Sequence, residues 1–196
     1  MIYFNLPKSV YLKYREKINK TVLKVLNSGN YVKSKELNKF EKNFAQYIKT
    51  KFAVGVGNAT DAIFVALKAL NIGYGDEVIT VSHTATGTAM GILNTGAKPV
   101  FCDISERDFN IDISFISKKI TKKTKAIVIV HLYGQSCEMK DLLYLAKKKG
   151  LPVIEDCSQS TGGKYKKSYL GSLGTFGCFS FFPTKNLSCI GDGGMI

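Results

Sequence analysis

The sequence predicts an α/β domain built on a mainly parallel sheet with helices on both faces. Two observations carry this. Strand candidates alternate with helical intervals along most of the 196 residues. The strands at residues 126–130 and 153–154 are apolar at every position, as strands covered on both faces are.

In residues 11–26 apolar side chains recur at Leu12, Ile18, Val22, Val25 and Leu26, the pattern of an amphipathic helix that ends at Asn27-Ser28-Gly29-Asn30. A second helix starts at Ser34, a good N-cap, and runs through Leu37, Phe40, Phe44 and Tyr47. The apolar run at residues 52–56 reads as a strand. Further strands are expected at residues 77–81, 99–102, 125–130 and 152–155, separated by helical intervals at 61–70, 86–93, 113–120 and 140–149. No internal repeat, low-complexity tract or linker interrupts the series. Residues 1–50 therefore read as a helical lead-in and residues 51–196 as one domain. Gly191-Asp192-Gly193-Gly194-Met195-Ile196 has the character of a turn opening into a new strand, so the domain is expected to be incomplete at that end.

With 45% hydrophobic and 22% charged residues the chain is globular, not disordered, collagenous or a disulfide miniature. Twenty-eight basic against fifteen acidic residues give a net charge of +13, compatible with anionic small molecules. A nucleic-acid function is disfavoured, because Arg15 and Arg107 are the only arginines and the lysines lie in scattered groups without aromatic interleaving. No partner membrane is expected either, since no stretch approaches the length of a spanning helix and residues 1–7 lack the regions of a leader. Five separated cysteines, Cys102, Cys137, Cys157, Cys178 and Cys189, form no C-x-x-C pair and have no neighbouring His in sequence. They suit a reducing cytoplasm, and no metal site is expected.

Ligands of such sheets bind at the carboxyl ends of the strands. Three segments there carry polar chemistry. Val56-Gly57-Asn58-Ala59-Thr60-Asp61 runs from a strand into a helix N-terminus, where free N–H groups, the helix dipole and the Thr60 hydroxyl suit a phosphate. It is not a P-loop, and taken alone it reads first as an ordinary N-cap with Gly57 serving the turn. In Val153-Ile154-Glu155-Asp156 two carboxylates follow an apolar strand, but consecutive residues face opposite ways, so they do not form an acid/base dyad. One of them is placed to hold a protonated ring nitrogen; the alternative is a solvated or capping pair. Phe179-Ser180-Phe181-Phe182-Pro183-Thr184-Lys185 puts a lysine just after an apolar strand, suited to imine chemistry or simply exposed on a loop. A phosphate cradle, a carboxylate for a ring nitrogen and an imine-forming lysine are together the parts that bind pyridoxal phosphate.

Several stretches extend this pattern. They include Gly57-Asn58-Ala59-Thr60-Asp61-Ala62, Ile72-Gly73-Tyr74-Gly75-Asp76-Glu77-Val78-Ile79 and Gly96-Ala97-Lys98-Pro99-Val100-Phe101-Cys102-Asp103-Ile104. His131-Leu132-Tyr133-Gly134-Gln135, Ile154-Glu155-Asp156, the segment 179–187 and Gly191-Asp192-Gly193-Gly194 follow in order. The chain resembles the DegT/DnrJ/EryC1/StrS family of pyridoxal-phosphate sugar aminotransferases. The resemblance implies the large domain of aminotransferase fold type I, with a C-terminal small domain belonging to the family but absent from these residues. It implies that Lys185 is the Schiff-base lysine and proton carrier and that Asp156 pairs with the pyridine nitrogen. The backbone of Ala59 and Thr60 with the Ser180 hydroxyl would hold the phosphate, and Gln159 would lie near the 3-hydroxyl side. The aromatic ring that usually stacks on the cofactor falls at Ala85, so His83 is the residue expected to supply the ring instead, or else a polar residue satisfied in its turn. By the same resemblance, an amino donor, usually L-glutamate, and a nucleotide-linked keto-sugar are the substrates, in a homodimer. Some relatives are pyridoxamine-phosphate-dependent dehydratases in which the lysine is replaced, and Lys185 argues against that reading. A fragment that binds without catalysing is the remaining alternative.

Overall fold

The computed structural model describes residues 6–196. The reading of residues 1–5 as lacking a leader lies outside them. Helix α1 (Pro7–Ser28) opens with a proline whose missing N–H costs the first turn nothing, and it ends at Gly29 in the left-handed conformation (φ 63°). It buries no side chain, and Leu12, Leu23 and Leu26 stay exposed. Helix α2 (Lys35–Ile48) is capped by Ser34, whose hydroxyl accepts from the Leu37 N–H at 3.3 Å. Its Phe44 and Ile48 pack with Leu170, Phe179, Phe181 and Met195, so packing runs across the boundary expected at residue 50.

The chain then alternates through β1 (Gly55–Val56), α3 (Ala59–Ala69), β2 (Glu77–Val81), α4 (Thr86–Leu93), β3 (Lys98–Cys102), α5 (Ile113–Lys119) and β4 (Thr124–Val130). A tight turn at Leu132–Gly134 leads to α6 (Met139–Lys149) and β5 (Val153–Asp156). A small hairpin, β6 (Lys164–Tyr165) and β7 (Ser168–Tyr169), precedes β8 (Phe176–Ser180) and β9 (Gly194–Met195). The seven-stranded sheet has the order β1-β9-β8-β5-β4-β2-β3. Strands β3, β2, β4, β5 and β8 are parallel, and β9 runs antiparallel between β8 and β1.

Alternation along β4 shows why the sheet needs helices on both faces. Ile127 and Ile129 join Met139, Leu142 and Ile116 beneath α5 and α6, whereas Ala126 and Val128 join Ile63, Leu67 and Ile92 beneath α3 and α4. The strand expected at residues 52–56 is shorter than its apolar run. The Gly55 N–H donates to Glu41 Oε1 at 2.8 Å instead of extending a ladder, and Phe52 and Val54 are exposed. The turn and new strand expected within 191–196 do form, as β9, and beyond it Val54 and Ile196 exchange backbone hydrogen bonds of 2.9 Å. Strand order reverses between β2 and β4, and a crevice opens there at the carboxyl ends of the parallel strands. Among the described residues no helix is long and apolar enough to cross a membrane.

Candidate active site

That crevice is a cavity of about 230 Å³ whose walls come from the start of α3, the loop after β2, the start of α4 and the ends of β4, β5 and β8. Ala59, Thr60, Asp156, Gln159, Ser180 and Lys185 all line it, although they lie on three separate segments of the sequence.

One end of the cavity is the N-terminus of α3. Asn58 caps the helix, accepting from the Asp61 N–H through its side chain at 2.8 Å and from the Ala62 N–H through its carbonyl at 3.0 Å. Asp61 is steered in turn by Asn58 Nδ2, 2.9 Å from its carboxylate. The N–H groups of Ala59 and Thr60 are left without a protein acceptor among the described residues. Two unpaired donors at a helix N-terminus make an anion seat. Space for it depends on Gly87, another lining residue: a Cβ there would sit 2.7 Å from the Thr60 hydroxyl oxygen.

Across from this seat is Asp156, the last residue of β5 and 4% exposed. Its Oδ2 accepts from the Thr88 hydroxyl at 2.8 Å, and Oδ1 accepts from the Ser158 N–H at 3.0 Å and hydroxyl at 2.5 Å. Thr88 is itself 2.7 Å from the Thr84 hydroxyl. The carboxylate is thus fixed from both sides. Neither Thr88 nor Thr84 was singled out from the sequence, since Thr88 and Asp156 lie 68 residues apart. Ser158, two residues on, carries the usual signal of an Asx turn.

Its neighbour Glu155 faces the opposite way, as the strand period requires. It is fully buried and accepts from His131 Nε2 at 2.9 Å and from the N–H groups of Gly171, Leu173 and Gly174 at 2.9, 2.8 and 2.6 Å. The Cys137 N–H donates to His131 Nδ1 at 3.2 Å, so the proton on the ring lies on Nε2 and points to Glu155. Burial alone would raise the Glu155 pKa, but the hydrogen bonds from His131, Gly171 and Gly174 outweigh it and hold the carboxyl below its ordinary value.

Lys185 lies in the loop after β8, half-buried. The loop is closed at its base by Cys189 N–H to the Phe181 carbonyl and Phe181 N–H to the Gly193 carbonyl, both 2.8 Å. Asn186 Nδ2 ties its outer edge to the Thr161 carbonyl at 2.7 Å. Gln159 receives the Tyr133 N–H on Oε1 at 2.9 Å. His83 is not among the lining residues. It is exposed, with Nε2 3.2 Å from the Tyr133 hydroxyl, one residue before Thr84, which does line the cavity.

The sequence places no His near a cysteine, yet the fold brings His131, Glu155 and Cys157 together, their ligand atoms all within 4.8 Å of one another. This grouping is a hydrogen-bonded core. The His and Glu atoms are already paired with each other, and burial pushes the Cys157 thiol well above its ordinary pKa. Burial likewise raises Cys102 to about 11 and Cys137 to about 12, which makes them inert.

The sequence model of the DegT/DnrJ/EryC1/StrS aminotransferase family matches residues 13–196. The chain belongs to that family. It is 40% identical, over its whole length and 55% of the relative's, to the UDP-2-acetamido-2-deoxy-3-oxo-D-glucuronate aminotransferase of Pseudomonas aeruginosa. A "pleiotropic regulatory protein" of Geobacillus stearothermophilus is 45% identical over 95% of the chain and 50% of its own length. Among solved structures, S. venezuelae DesV, in complex with a ketimine intermediate, superposes with a TM-score of 0.97 at 40% identity, covering 99% of this chain and 52% of that one. NtdA from Bacillus subtilis, with bound cofactor PMP, gives 0.88 at 33% identity over 93% of this chain and 41% of its own. The domain therefore has the fold of the pyridoxal-phosphate-dependent aminotransferases. This DegT/DnrJ/EryC1/StrS chain spans about half the length of the curated relatives it matches.

Proposed function

We propose that the intact protein is a pyridoxal-phosphate-dependent aminotransferase. It moves an amino group from an amino-acid donor, L-glutamate, to a keto-sugar linked to a nucleoside diphosphate, in glycan, polysaccharide or amino-sugar biosynthesis. It works as a homodimer in the cytoplasm, a compartment that suits five unpaired cysteines. The observation that carries this reading is the convergence of Lys185, Asp156 and the two unpaired N–H groups at Ala59 and Thr60 on one cavity.

The residues fit that cofactor. The free N–H pair at the start of α3, the room left by Gly87 and the Ser180 hydroxyl suit its phosphate. Asp156, with each oxygen already anchored, keeps a fixed negative charge available for a ring N–H. Pyridoxal phosphate, when bound, supplies an electron sink for the negative charge left on carbon when a proton is removed. Lys185 offers its Nζ both to hold the cofactor and to take up and return that proton. Gln159 lines the same cavity and would lie near the 3-hydroxyl side of the cofactor.

The test is optical. The full-length protein incubated with pyridoxal phosphate is expected to develop a visible absorption band that Lys185→Ala lacks. A band of equal size in the variant would sink the assignment. With a nucleotide-linked keto-sugar, the wild type is expected to convert glutamate to 2-oxoglutarate.

A further inference from the structure

We propose that the end of the domain opposite the cavity is a docking surface for an anionic lipid bilayer. The contact is peripheral and electrostatic, so it needs no spanning helix, and it does not depend on what the cavity binds.

The first observation is where the fold puts the charge. In the parallel part of the sheet the strands start, and the helices between them end, on the side away from the crevice. Helix α5 ends in Lys118 and Lys119, and α6 in Lys147, Lys148 and Lys149. Lys122 and Lys123 lead into β4, whose second residue is Lys125, while Lys98 opens β3 and Lys68 lies in the last turn of α3. Strand β1 runs in the same direction as β8, since both are antiparallel to β9, so Lys49 and Lys51 ahead of it join this end. All twelve lysines are exposed. Among the described residues the same end holds two carboxylates, and both are engaged. Asp76 accepts from the Gly73 N–H at 3.0 Å, and Glu77 accepts from the Thr121 hydroxyl at 2.6 Å. Ten of the thirteen net positive charges therefore sit on one end. Lysine groups that are scattered along the sequence become one surface on folding.

The second observation is that little in the fold uses these charges. None of the twelve is ion-paired among the described residues. The helix macrodipole accounts for the lysines in the last turns of α3, α5 and α6, but not for Lys98, Lys122, Lys123 or Lys125. Like charges gathered without partners repel one another, and an anionic surface relieves that repulsion. Tyr74, 98% exposed in the turn before β2, and the half-exposed Leu93 at the end of α4 stand at the same end. An amphipathic ring and an aliphatic side chain beside a lysine cluster suit the headgroup region of a bilayer. Every cation at this end is a lysine, a hydrated point charge that serves a diffuse field of headgroups; the arginine fork that grips nucleic acid is missing from it. A protein docked by this end keeps its crevice facing water.

The experiment is co-sedimentation of the full-length protein with vesicles of phosphatidylglycerol and phosphatidylcholine in equal parts, and with phosphatidylcholine alone, at about 0.1 M salt. The wild type is expected to sediment with the anionic vesicles, to stay in solution with the neutral ones, and to be released at about 1 M salt, where screening is strong. Lys119→Gln, Lys122→Gln, Lys148→Gln and Lys149→Gln together are expected to weaken binding at least about 10-fold. Lys8→Gln, Lys13→Gln, Lys17→Gln and Lys20→Gln together remove as much net charge from α1 and are expected to change binding less than about threefold. All eight side chains are exposed, so both variants keep the wild-type unfolding midpoint, and neither alters the absorption band with pyridoxal phosphate. Equal losses in the two variants, no sedimentation of the wild type with anionic vesicles, or equal sedimentation with neutral ones overturns the proposal. Tighter binding to a DNA duplex than to the anionic vesicles at the same salt overturns the choice of a bilayer.

Discussion

Glu155 and Asp156 are consecutive, acidic and buried, yet the strand period sends them to different parts of the molecule. Glu155 turns toward the loop at 171–174 and is enclosed by three backbone N–H groups and the His131 ring. Asp156 turns into the cavity, where Thr88 and Ser158 fix its oxygens while one side stays open to the space between α3 and Lys185. A buried charge enclosed by protein donors stabilises a fold. One held still but left facing a cavity is available to a ligand.

The largest effect should come from removing the enclosed member. Glu155→Ala strands three N–H donors and the His131 N–H in the core, and an unfolding free energy lower by about 3–5 kcal/mol is expected in denaturant titrations. A loss below about 1 kcal/mol, the range of a surface substitution, would break the contrast.

A smaller effect is expected from acid. Because the Glu155 pKa is lowered in the fold, its contribution is present above the unfolded-state value near about 4.3 and is lost as pH falls through the lower folded value. Unfolding midpoints measured downward from pH 6 should therefore fall more steeply for the wild type than for Glu155→Gln. Parallel slopes would assign the acid sensitivity to other carboxylates.

The parts of the fold that could be read from the sequence are those in which one residue class repeats with the period of its element. The apolar run in β4 and the four-residue strand β5 declared themselves because both sheet faces are covered. The hairpin β6–β7 did not, since two-residue strands containing Lys164 and Ser168 carry no periodicity. In the site, the segments carrying Ala59, Thr60 and Lys185 were legible because a helix start after a strand and a lysine after an apolar strand suggest chemistry, whereas the roles given to these residues rest on the family resemblance. Thr88 and Tyr133 were not, because they meet their partners 68 and 50 residues away, and only the folded sheet creates those contacts. The opposed directions of Glu155 and Asp156 followed from strand geometry alone. Which of the two faces the cavity required knowing on which side α3 packs.

The central claim is that the carboxylate facing the cavity serves the cofactor and contributes little to the fold. Asp156→Asn in the full-length protein tests it most directly, because the amide oxygen can keep both Ser158 donors while the Thr88 hydroxyl reverses and accepts from the amide N–H. Titration with pyridoxal phosphate is expected to give a dissociation constant raised by about 10- to 100-fold, equivalent to about 1.4–2.8 kcal/mol, while the cofactor-free unfolding free energy changes by no more than about 1 kcal/mol. Unchanged cofactor affinity in Asp156→Asn would contradict the account.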